Sequence, residues 1–217
     1  MSTNLKVSAA LVAAFAAVVA AFLILGQSDS GSSADGGASD VVQVVREDSH
    51  RLGEPGAGDV TLVEFLDFEC EACAAVYPFV EQLREDYAGQ VTFVARYMPM
   101  PGHPNAENAA AAVEAAAQQG EFEAMYQRMY ETQEQWSHRE ESQAAVFRGF
   151  AADLGLDLAS YDEDVADPAT LERVLSDRED GLALGVEGTP TFFLDGEKLE
   201  VSTTDEFIAQ LEAALDE

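Results

Sequence analysis

Cys70 and Cys73 are the only cysteines in a chain of 217 residues, and they are spaced Cys70-Glu71-Ala72-Cys73. Two thiols at this spacing can cycle between a dithiol and a disulfide when they sit at the start of a helix. The free N–H groups and the positive dipole end at that place favour a thiolate on the first cysteine. The thiolate is the attacking species in disulfide exchange, so its position controls its reactivity. Two plainer readings compete. A structural zinc site requires four ligands, yet there are no further cysteines, and His50, His103 and His138 are scattered with no matching spacing. A purely structural disulfide across so short a loop would restrict the unfolded chain little. Redox chemistry is therefore the reading, with no metal and no cofactor expected.

The elements that must position the thiols can be read around them. Residues 60–66 form an apolar, β-prone run that predicts a strand, and residues 74–87 predict a helix after the cysteines. A second strand is predicted at 91–97, followed by a proline-rich connector at 98–104. Helices are predicted at 105–119, 121–135, 141–154 and 168–184; the second carries Phe122, Met125, Tyr126, Met129 and Tyr130 at helical spacing. A strand at 191–194, an Asp195-Gly196 turn, a strand at about 198–201 and a closing helix capped by Thr204 or Asp205 complete the chain. Residues 41–45 read as a short edge strand. A β-α-β unit followed by helices and an α-β-β-α unit predicts an α/β fold with a mixed central sheet.

Two more features belong with the cysteines. Glu64 interrupts the apolar strand six residues before Cys70. A buried carboxyl there would have a raised pKa and could exchange a proton near neutral pH. The segment Gly188-Thr189-Pro190-Thr191 places a proline at a strand start, where its missing N–H is tolerated.

Together these residues resemble the thioredoxin superfamily, and within it the DsbA-like thiol:disulfide oxidoreductases. The likeness runs from about Arg46 to the C-terminus. It rests on the strand, the C-x-x-C pair and its helix, the Thr189-Pro190 loop, and a helical block at about 104–167 inserted between the two thioredoxin halves. The resemblance implies a thioredoxin fold with an inserted helical subdomain. It implies that Cys70 is the exposed nucleophile, Cys73 the buried resolving thiol and Glu64 the proton relay to Cys73. It further implies a cis Pro190, with Thr189 offering backbone hydrogen bonds to an extended substrate chain. Relatives often carry proline or histidine between the cysteines. Here Glu71 and Ala72 stand there as modulating residues, and Glu71, Glu69 and Asp67 add negative charge that implies a less stable thiolate and a weaker oxidant.

The run from Val7 to Leu25 is apolar except for Ser8 and is long enough to span a bilayer as a helix. Residues 1–26 therefore read as a signal-anchor; a cleaved secretory signal is the alternative. Residues 27–40 are Ser, Gly, Asp and Ala after Gln27, the composition of a flexible linker, and 41–217 form one domain. Lys6 favours a cytoplasmic N-terminus, which leaves the domain extracytoplasmic, where disulfides persist. The formal net charge is −30, and every acid follows residue 26. That balance excludes nucleic acid as a partner and reads as a solvated acidic surface. The partners expected are exported proteins with cysteines and a membrane redox partner for recycling. The function expected is an oxidase that introduces disulfides. The alternatives are a reductase or isomerase fed by a membrane electron carrier, or a non-enzymatic binding module of the same fold.

Overall fold

The computed structural model describes residues 43–216; the expected anchor and linker lie outside them. Among the described residues, no helix is long and apolar enough to cross a membrane. The sheet has the strand order β1-β3-β2-β4-β5, formed by β1 (His50–Arg51), β2 (Thr61–Leu66), β3 (Thr92–Tyr97), β4 (Thr191–Leu194) and β5 (Glu197–Lys198). The central pair, β2 and β3, is parallel and joined by helix α1 (Glu71–Asp86); the other pairings are antiparallel. Between β3 and β4 come α2 (Ala106–Ala117), α3 (Phe122–Glu131), α4 (Gln133–Trp136), α5 (Ala144–Asp153), α6 (Leu158–Ala166) and α7 (Pro168–Ala183), and α8 (Thr204–Leu215) closes the chain.

β2 is the central strand, buried on both faces, which is why it reads as a continuous apolar run. Leu62 and Leu66 point into one core cluster with Phe68, Cys73 and Tyr126, whereas Val63 and Phe65 point into the other with Val94, Met98 and Phe193. Glu64 sits opposite Ala95 on one side and Phe192 on the other. α2 is almost wholly buried because its alanines let α3, α5, α6 and α7 approach it closely. Trp136 is in this helical core, edge-on to Phe147 with ring centroids 4.9 Å apart.

Several expected boundaries shift. Residues 43–45 are not a strand. The edge strand is β1, and the carbonyls of Gln43 and Val44 instead accept hydrogen bonds from Arg96 at 3.2 and 2.7 Å. α1 begins at Glu71, directly after Cys70. β5 ends at Lys198, and α8 is capped by Thr203, whose side chain accepts the Glu206 N–H. The Asp195-Gly196 turn takes positive φ at both residues, as a two-residue hairpin requires.

α7 lies on the face of the sheet that holds Phe65. A Cβ on Gly181 would come within 3.0 Å of the Phe65 ring and of the Met98 sulfur. Beside it, fully buried Arg96 pairs with Asp177 at 2.7 Å and Asp180 at 2.6 Å, and Arg46 reaches Asp180 at 2.5 Å.

Candidate active site

The turn at 67–70 carries the chain from β2 into α1. Cys70 is the N-cap of that helix, in extended backbone, and no side chain caps the helix end. Its N–H donates to the Asp67 carbonyl at 3.1 Å, and its carbonyl accepts from Gln133 Nε2 at 2.9 Å. The first-turn N–H groups are therefore free to face its sulfur. Both cysteines are free thiols here.

The Cys70 pKa is lowered to about 5. The Cys73 thiol contributes most; burial opposes it, and the Thr189 side chain and the N–H groups of Cys73 and Ala72 add to the lowering. In the thiol form, Cys70 donates instead to the Thr189 carbonyl at 3.3 Å, and the Thr189 hydroxyl, which has no other partner among the described residues, is the donor left for the thiolate. Cys70 is only 7 % exposed, so the expectation of an exposed nucleophile is corrected. The Thr189 loop closing on its sulfur is the reason. Cys73 is 1 % exposed; burial, then the Cys70 thiol and the Glu64 charge, push its own thiol far up.

Glu64 is 4 % exposed, and its pKa is pushed up to about 8, first by burial and then by the charges of Cys70 and Glu81. One of its oxygens, Oε2, has no hydrogen-bond partner among the described residues. The Thr189–Pro190 bond is cis. Glu71 turns outward and pairs with His138 Nε2 at 2.9 Å, while Ala72 acts on Cys70 through its N–H.

The acids that looked like destabilising charge have other partners. Asp67 accepts from the N–H groups of Glu69 and Met100 at 2.8 and 2.9 Å and pairs with His103 Nδ1 at 2.6 Å. Glu69, fully buried, accepts from the N–H groups of Asn105 and His138 at 2.6 and 2.7 Å. These bonds tie the loops at 98–105 and 137–143 to the thiol-bearing turn. Burial lowers the His103 pKa, but the Asp67 carboxylate outweighs it and the net shift is upward. In the sequence His103 is only one of three scattered histidines; its partner lies 36 residues away, and no local spacing joins the two.

Beside Pro190 lies an open groove of about 320 Å³, lined by Val76, Phe79, Phe192, Val201 and Phe207. Thr191 and Lys198 also border it.

Comparison with known proteins fits this arrangement. The family described as Thioredoxin matches residues 46–216. A curated protein named Na(+)/H(+) antiporter NhaA, from Herminiimonas arsenicoxydans, is 37 % identical over 148 residues, a match covering 68 % of this chain and 22 % of that protein. The chain thus spans under a quarter of that relative's length. A solved thioredoxin-like oxidoreductase from Silicibacter pomeroyi DSS-3 superposes with a TM-score of 0.67 at 25 % identity, covering 82 % of this chain and 98 % of its own. The α-DsbA1 of Wolbachia pipientis shares the fold, with a TM-score of 0.68 at 16 % identity over 79 % of this chain and 93 % of its own. The family match takes in the whole sheet and its inserted helices, so the chain belongs to the thioredoxin superfamily, with a fold it shares with the solved α-DsbA1.

Proposed function

We propose that this protein oxidises thiol pairs in exported proteins while tethered to the outer side of a cell membrane. The observation that supports the direction of electron flow is the seat of the Cys70 sulfur at the uncapped N-terminus of α1, beside Cys73 and Thr189, which lowers its pKa to about 5. Whatever stabilises the reduced form makes the disulfide a stronger oxidant. Lowering a thiol from 9 to about 5 leaves about two decades of extra stability for the dithiol form at pH 7, roughly 60 mV for a two-electron couple. The carboxylates of Asp67 and Glu69, occupied by N–H groups and His103, do not reverse that balance.

In this reading a substrate thiolate attacks the Cys70 sulfur of the disulfide. A substrate–Cys70 bond forms, the Cys70–Cys73 bond breaks, and Cys73 leaves with the electron pair. Glu64, protonated below about pH 8, gives Cys73 its proton. A second substrate thiolate then attacks the substrate sulfur and expels Cys70 as a stable thiolate. The backbone of Thr189 aligns the extended substrate chain, and the groove beside Pro190 takes its apolar side chains. A membrane redox partner accepts the two electrons. The apolar run at 7–25 and the linker at 27–40 support the tether, and curated relatives that contain a matching region within proteins named as ion antiporters support a membrane setting.

The test is equilibration of the Cys70–Cys73 couple with glutathione. We expect a potential some tens of millivolts above the roughly −270 mV of thioredoxin reductants, displaced toward the roughly −120 mV of strong oxidants. A value at or below that of the thioredoxin reductants would overturn the oxidase assignment in favour of a reductase.

A further inference from the structure

Strand alternation turns Glu64 to the same face as Leu62 and Leu66, toward the cluster that holds Cys73, Tyr126 and Tyr130. On that face α1 packs against α3. Cys73, Tyr77 and Glu81 follow one another at four-residue steps along one side of α1. Tyr126 and Tyr130 do the same on α3. The two rows meet as a seam: the Tyr77 ring centroid is 5.7 Å from that of Tyr126 and 5.2 Å from that of Tyr130. At its outer end Gln127 donates to Glu81 at 3.3 Å, and Arg84 donates to Glu81 at 2.6 Å.

Two buried polar atoms on this face have no hydrogen-bond partner among the described residues, Glu64 Oε2 and the Tyr126 hydroxyl. Tyr126 is 0 % exposed. Buried polar groups are nearly always paired, and a buried water takes two or more such atoms as partners. The titratable groups within electrostatic reach of Glu64 are Cys70 from the turn, Cys73 and Glu81 from α1, and Tyr126 and Tyr130 from α3. The Tyr130 hydroxyl already points to the Asp67 carbonyl at 3.5 Å, which leaves Tyr126 as the available donor. Glu81 is the acid on this seam with access to solvent, its side chain 25 % exposed.

We propose that the seam between α1 and α3 is the proton route of the site, with the Tyr126 hydroxyl and bridging water connecting Glu64 to Glu81 and solvent. The proposal rests on Glu64 being the relay for Cys73. When Cys73 resolves a mixed disulfide, its thiol proton goes to the Glu64 carboxylate. The Cys73 sulfur bonds to the Cys70 sulfur, and the bond from Cys70 to the bound thiol breaks. Glu64 then releases its proton outward through the seam. In the opposite direction the same route reloads Glu64.

The test mixes the dithiol protein with a limiting amount of an aromatic disulfide that releases a coloured thiolate. The first release reports attack by Cys70, and the second reports resolution by Cys73. Near pH 7, where Glu64 must shed its proton before it can accept another, Tyr126→Phe should slow the second release about tenfold and leave the first unchanged. Above about pH 8, where Glu64 is already ionised, the variant should converge on the parent. Glu81→Gln, which keeps a side-chain oxygen to accept from Arg84 or Gln127 but cannot carry a proton, should act in the same direction. Glu64→Gln separates the two ideas. If it slows the second release while Tyr126→Phe and Glu81→Gln do not, the relay stands and the route is overturned. If Glu64→Gln has no effect either, the relay and the route both fall. A slowing of both releases at every pH would mark Tyr126 as merely structural and would also overturn the route.

Discussion

Cys70 and Cys73 sit three positions apart on one helix end, yet their environments drive their thiols in opposite directions. In the reduced protein, alkylation of Cys70 should be much faster than that of Cys73. Its rate should hold steady down to about pH 5 and then fall about tenfold per pH unit as the thiolate is protonated. Cys73→Ala should accumulate mixed disulfides through Cys70. Mass spectrometry of the alkylated peptides checks this; equal labelling, or trapping only by Cys70→Ala, would invalidate the division of roles. The thiols and Glu64 were legible because each breaks a local pattern, the last as a lone acid in an apolar strand. The partners of Asp67, Glu69 and Glu71 were not. His103, Asn105 and His138 are brought to the turn by loops remote in sequence, and an acid's local context does not show whether its charge will be matched.

At the scale of elements, the strand, thiol pair and helix were readable because each piece carries its own periodicity. α6 was not anticipated. Its apolar residues Leu158, Tyr161 and Val165 do recur at helical spacing, but Asp162-Glu163-Asp164 dominates the segment, and packing on α2, α5 and α7 is what rewards the helix. The edge strand was misplaced for a related reason. The valines at 44 and 45 are β-prone, but the two residues that pair with β3 are His50 and Arg51, which propensity does not favour. α7 illustrates what spacing cannot show, the close approach of a helix to a sheet. We expect Gly181→Ala to cost about 1–3 kcal/mol, because its Cβ would push on the Phe65 ring and the Met98 sulfur. Urea unfolding measures this, and an unchanged midpoint would mean that α7 can move outward without loss.

For the molecule as a whole, the −30 charge is a property of surface rather than of site. Many of the arginines in the described domain are already paired with acids, among them Arg46, Arg84, Arg96, Arg148 and Arg173. The excess acids repel one another across solvent, and salt screens that repulsion with a Debye length of about 3 Å at 1 M. The melting temperature should therefore rise from low salt to about 1 M sodium chloride. Calorimetry at matched pH decides it, and a flat or falling midpoint would show that self-repulsion contributes little. The ion cluster on the far side of the sheet has a mechanical meaning as well. Arg96 holds the carbonyls of Gln43 and Val44, and Asp180 holds Arg46. A pull on the chain ahead of residue 43 enters the domain through that grip and is shared between β3 and α7. The load path runs beside β2 and does not cross the turn at 67–70, so tension on the leading chain is borne by groups that take no part in disulfide exchange.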